Sequence, residues 1–123
     1  MLAISPASPQ ETRDPAQPPL RAARACRPGD VVFRFDEFEW RAQRDRDTVQ
    51  LPGGGHIFHP ALARTPHSCE PNCCVSFPTS SMVAIRPIAA GETISYDYET
   101  TESWFSHPFW CLCGSRRCRG RIG

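Results

Sequence analysis

A chain of 123 residues with 14 basic against 13 acidic side chains and 40% hydrophobic content has the size and balance of one small domain with a modest core. Its near-neutral charge gives no electrostatic footing for nucleic acid or an anionic membrane, and neither is expected as a partner. No apolar run near the start is long enough for a signal peptide or a membrane span, and the seven cysteines are an odd number, so thiols serving a metal in a reducing cytoplasm are expected instead of a disulfide framework.

Residues 1–19 hold five prolines (Pro6, Pro9, Pro15, Pro18 and Pro19) and almost no large apolar side chains, so they are expected to form a disordered leader that cannot offset the entropy of ordering. The pattern changes at Asp30. Asp30-Val31-Val32-Phe33-Arg34-Phe35 is β-branched and aromatic and follows a Pro28-Gly29 turn signal, which predicts a strand. Further short strands are expected at Thr48 to Leu51, ahead of the flexible Pro52-Gly53-Gly54-Gly55, near Ile57, and at Met82 to Arg86. From Gly91 to Tyr98 the residues alternate, predicting a strand with Ile94, Tyr96 and Tyr98 on one face. Proline or glycine interrupts every window that could hold a helix of more than about two turns, so the fold class is mainly β. Pro28-Gly29-Asp30 and Ala90-Gly91-Glu92 open two strands with the same small-Gly-acid phrase, read as shared turn chemistry and not as a repeat.

Near the carboxyl end, Cys111-Leu112-Cys113 and Cys118 surround Gly114. This spacing lets three thiolates converge on one ion, and structural zinc wants four ligands. Cys26, Cys69, Cys73, Cys74 and the histidines are all candidates for the fourth. Just before the cluster, Trp104, Phe105, Phe109 and Trp110 form a dense aromatic run that could pack in the core or roof a binding channel. His56, His59 and His107 are expected in loops or on the surface, and Cys73 and Cys74 as packed free thiols.

The segments His67-Ser68-Cys69-Glu70-Pro71-Asn72 and Gly91-Glu92-Thr93-Ile94-Ser95-Tyr96-Asp97-Tyr98, followed by the cysteine cluster, resemble in order and spacing the SET family of protein lysine methyltransferases with its post-SET tail. The resemblance covers roughly residues 22–123. It implies a SET-type fold of short twisted strands, a β-clip with a threaded C-terminal segment, over residues 20–110 and a zinc-stapled tail over 111–123. It also implies zinc held by Cys69, Cys111, Cys113 and Cys118, S-adenosylmethionine as methyl donor, and a lysine-containing protein or peptide as substrate. Tyr98 would be the tyrosine whose hydroxyl lies beside the transferring methyl, and Tyr96 the wall that limits methyl number. Pro66, His67, Leu112 and Ile122 would line the cofactor site. The family's motif asparagine is Pro66 here, its Gly-x-Gly turn falls at Gln17 and Pro19, and its upstream arginine falls at Ala63, with Arg64 displaced beside it. Those departures leave, beside the methyltransferase, an alternative of a non-catalytic SET-like zinc-stabilised protein-binding module. Nothing in the sequence specifies an oligomeric state.

Overall fold

The structure, a computed structural model, describes residues 18–123; most of the expected leader, residues 1–17, lies outside them. It is mainly β, with short elements, as a SET-type fold requires. Strand β1 (Val31–Arg34) runs antiparallel to β6 (Ser81–Ala84), which pairs on its other side with β5 (Cys73–Ser76), giving the order β1-β6-β5. A second sheet has the order β2-β4-β3, from Glu39–Arg41, His56–Phe58 and Val49–Gln50. One helical turn, α1 (Pro60–Ala63), follows β4. In the tail, β7 (Phe109–Trp110) pairs with β8 (Arg121–Ile122).

β1, β3, β4 and β6 lie where the pattern put them, with shifted ends, whereas β2, β5, β7, β8 and α1 fall on segments for which no element was expected. The strand expected to reach Arg86 stops at Ala84, two residues short, because Pro87 has no N–H to continue a ladder. The two small-Gly-acid phrases make the same turn. Asp30 Oδ2 accepts from the Arg27 N–H at 2.8 Å and Glu92 Oε1 from the Ala89 N–H at 2.9 Å. Gly29 and Gly91 occupy φ of 95° and 85°, where a side chain would be strained.

The stretch 91–98 departs from expectation. Ile94, Tyr96 and Tyr98 are buried together as the alternation predicts, but the segment joins no continuous ladder. Its backbone is divided among separate neighbours. Ile94 N–H donates to the Leu20 carbonyl at 3.1 Å, Tyr96 N–H to Pro66 at 3.2 Å, and the Ser95 carbonyl accepts from Cys73 N–H at 3.0 Å. Asp97 then ends the extended run, because its carboxylate accepts from the Glu99 N–H at 3.0 Å and caps a 3-10 turn over Tyr98–Thr100.

The core gathers Phe35, Val49, Ile57, Leu62, Met82, Ile88, Ile94 and Tyr96, each removed from water almost completely. A smaller cluster of Cys69, Cys111 and Ile122 sits under the tail, and Phe105 and Phe109 pack against both.

Candidate functional site

The two sequence motifs meet side by side. Pro66 and His67 run parallel to Tyr96, with Ser68 N–H donating to the Tyr96 carbonyl at 3.2 Å. Asn72, 2% exposed, closes the joint further on. Its amide donates to the Thr93 carbonyl at 3.0 Å and to Glu92 Oε2 at 3.2 Å, and its Oδ1 accepts from Ser95 N–H at 2.9 Å.

This splice packs four rings together. Tyr96 and Tyr98 have centroids 5.0 Å apart, and the His67 ring stands edge-on to Tyr98 at 5.2 Å. From the tail, Phe109 reaches His67 at 5.7 Å and Tyr98 at 5.9 Å. The buried Tyr98 hydroxyl donates to the Thr65 carbonyl at 2.6 Å. His67 Nδ1 accepts from the Tyr98 backbone N–H at 3.1 Å, while Nε2 lies 3.4 Å from Cys69 Sγ. The site therefore offers an aromatic wall in which the Tyr98 hydroxyl is fixed on the Thr65 carbonyl.

Of the candidates for a fourth thiol, Cys69 is the one that joins the tail. The Sγ atoms of Cys69, Cys111, Cys113 and Cys118 all lie within 4.8 Å of one another, and those of Cys69 and Cys111 are 3.8 Å apart. That distance is far too long for a disulfide. It matches the edge of about 3.8 Å that a tetrahedron with metal–sulfur bonds of about 2.3 Å would have. Four such thiols could hold a zinc ion. Burial pushes the Cys69 and Cys111 thiols up. It opposes ionisation of Cys113 too, but N–H donors from Ser115 and Cys69 and S–H donors from Cys111 and Cys118 outweigh it and bring that thiol down to about 7. Arg119 N–H also donates to Cys69 Sγ at 3.3 Å. The backbone N–H donors from Ser115, Cys69 and Arg119 would stay on sulfur after the thiols ionise, which suits thiolates on a cation.

The other expected cofactor residues divide. Pro66 is buried and gives its carbonyl to Tyr96. Ile122 is fully buried beside Cys69 and Cys111, whereas Leu112 is 40% exposed. Arg64, the displaced arginine, donates from Nε to the Pro18 carbonyl at 3.1 Å. In the aromatic run Phe105 and Phe109 pack inward, while Trp104 and Trp110 are exposed, Trp104 beneath the Arg44 guanidinium at 4.1 Å. Cys73 is packed as expected, burial pushing its thiol up to about 12. Cys74 is exposed instead, since it faces outward on β5.

Sequence reasoning missed Arg119 and His59. Arg119 spans Asp97 at 2.7 Å and Glu99 at 2.8 Å, pinning the tail to both sides of Tyr98, and its partners lie some 20 residues upstream in no periodic relation. His59 caps α1 through Nδ1, which accepts from Ala61 N–H at 3.1 Å. The His-Pro pair at a helix start was the available signal.

A family model described as SET domain matches residues 19–99. Histone-lysine N-methyltransferase 2B of Homo sapiens is 33% identical over 97 residues, covering 74% of this chain and 3% of that protein. Histone-lysine N-methyltransferase trr of Drosophila melanogaster is 35% identical over 98 residues, 74% of this chain and 4% of its own length. Histone-lysine N-methyltransferase ASHR3 of Arabidopsis thaliana is 36% identical over 63 residues, 46% of this chain and 12% of its own. The chain thus spans a small fraction of the curated relatives it matches. With the match running from the first described strand bridge through the tyrosine pair, the chain belongs to the SET-domain family.

Proposed function

We propose that the chain is an S-adenosylmethionine-dependent protein-lysine N-methyltransferase, with Tyr98 as its catalytic hydroxyl, Tyr96 as the channel wall, and zinc on Cys69, Cys111, Cys113 and Cys118 holding the tail in place. The observation that carries the reading is the Tyr98 hydroxyl, buried among aromatic rings with its proton committed to the Thr65 carbonyl at 2.6 Å. A phenol whose proton is held this way turns its oxygen into an acceptor, the role a tyrosine beside a cationic methyl donor requires. S-adenosylmethionine supplies a methyl group on a sulfonium. The chain's own task is to present a neutral lysine amine to it, although free lysine has a pKa of about 10.4. Apolar walls such as Tyr96, Tyr98 and Phe109 favour the uncharged amine by desolvation and hold the reacting atoms in line. Backbone at Pro66 and His67, with Leu112 and Ile122 from the tail, would flank the adenosine.

Pro66 favours a second reading, the non-catalytic SET-like module that keeps fold and zinc. It has no side-chain amide, and its carbonyl is taken by Tyr96. Calorimetric titration with S-adenosylhomocysteine separates the two, with binding expected and absence of heat at millimolar ligand sinking the enzyme. Pro66→Asn should tighten binding roughly two- to twelve-fold, the worth of one net hydrogen bond of about 0.5–1.5 kcal/mol. Core histones are the first substrates to assay, because the relatives are named for them. With labelled methyl donor, Tyr98→Phe should depress transfer far more than it weakens S-adenosylhomocysteine binding, as for a group acting mainly in the transition state. Equal losses in both would remove Tyr98 from catalysis.

A further inference from the structure

His67 stands between the cysteine cluster and the tyrosine segment, and its two ring nitrogens face different partners. Nδ1 is the acceptor for the Tyr98 backbone N–H at 3.1 Å, a contact that consumes its lone pair. A proton on Nδ1 would set two N–H donors head to head. Asp97 Oδ1, the nearby carboxylate, is 3.7 Å from Nδ1, too far for a hydrogen bond to compensate, and Asp97 is already paired with Arg119 at 2.7 Å. A neutral imidazole bearing no proton on Nδ1 carries it on Nε2. Nε2 lies 3.4 Å from Cys69 Sγ, in a fully buried contact. The ring orientation is fixed besides by edge contacts to Tyr98 and Phe109.

Resting on the zinc assignment above, we propose that His67 is a positioning residue that couples the metal cluster to the tyrosine segment, its Nε2–H donating to the Cys69 thiolate while Nδ1 holds the Tyr98 backbone. A thiolate bound to metal retains lone pairs that accept such a donor, and the donor in turn fixes the tautomer that Tyr98 needs. His67 would then be more than a source of backbone contacts to the cofactor. Through one rigid ring, the position of Cys69 on the ion sets the position of the tyrosine backbone.

The test begins with the full native chain loaded with cadmium-113 in place of zinc, a metal that also accepts four thiolates. Nitrogen-15 spectra of the histidine rings, assigned by the loss of one ring in a His67 variant, should show His67 protonated at Nε2 and bare at Nδ1. The Nε2 proton should show scalar coupling to cadmium through the Cys69 sulfur. A proton on Nδ1, or bound cadmium without coupling, overturns the role of His67 and leaves the metal site intact. Failure of the chain to retain cadmium overturns the zinc assignment and this inference together.

Two variants divide the function of the ring. His67→Asn places an oxygen near Nδ1 and should keep the Tyr98 amide protected from hydrogen exchange, while metal affinity, read by chelator competition, falls about 10- to 100-fold. His67→Gln places a donor near Nε2 and should keep most of the metal affinity while the Tyr98 amide exchanges faster. Identical behaviour of the two variants in both measurements would show that His67 merely fills space.

Discussion

At Asn72 one side-chain amide does the joining that a sheet ladder would otherwise do, since the segments it links run together for only a few residues. Asn72→Ala would leave Ser95 N–H and the Thr93 carbonyl without this partner in a part-buried joint and should destabilise the protein by about 1–3 kcal/mol in a denaturant titration. Asn72→Asp keeps the acceptor for Ser95 but sets a carboxylate where the amide met Glu92 Oε2 at 3.2 Å, so it should be at least as damaging at neutral pH. His67, Cys69, Tyr96, Tyr98 and the three tail cysteines do lie together, but cysteine spacing alone left the fourth thiol open and it was the family resemblance that singled out Cys69 and the tyrosine pair. Thr65 was not legible, because it contributes a backbone carbonyl, which any residue has. Arg119 was not legible either, because its acidic partners Asp97 and Glu99 come near it only after the tail folds back.

Among the elements, α1 is a single turn whose stability depends on its cap, and the cap is a titratable ring. His59 accepts the Ala61 N–H and stacks on Phe33 at 6.4 Å, and burial lowers its pKa from 6.5. The neutral form is therefore favoured by folding. Its contribution is complete above the unfolded pKa of about 6.5 and is lost as pH falls through the lower folded value. His59→Asn preserves a capping acceptor without the titration. It should leave stability at pH 7.5 within about 1 kcal/mol of wild type and flatten the decline below about pH 6.5, measured by melting temperature against pH. The tail bears a different joint. Arg119 is partly exposed, so Arg119→Ala should cost less than about 1 kcal/mol despite its two carboxylate partners. β1, β3, β4 and β6 were legible from β-branched runs and glycine turns, but β2, β5, β7, β8 and the course of the segment 91–98 were not. Its alternation correctly named the buried face, yet periodicity carries no information about whether neighbouring backbone will form a ladder or, as here, several unconnected partners.

At the scale of the whole molecule, the tail beyond residue 101 holds to the body through Phe105, Phe109 and Ile122 and through the cysteine cluster. A small core leaves little margin for such an appendage, so a metal joining Cys69 to Cys111 across a separation of 42 residues should matter greatly. By the chain-entropy argument used for disulfides, closing a loop of that length is worth about 4 kcal/mol, before any direct bonding. Metal analysis should find about one zinc per chain. Chelation should lower the melting temperature by roughly 15–30 °C, since each kcal/mol moves a domain near this size by about 4–8 °C. Cys69→Ser should reproduce most of that loss, and Cys74→Ser, which alters an exposed thiol outside the cluster, should not. Chelation should also release Phe109 from His67 and Tyr98, because β7 and β8 carry it there, so S-adenosylhomocysteine binding should weaken along with stability. If Cys69→Ser retained full zinc content and the native melting temperature, Cys69 would not be the fourth ligand, and the metal could not be what draws the tail onto the tyrosine pair.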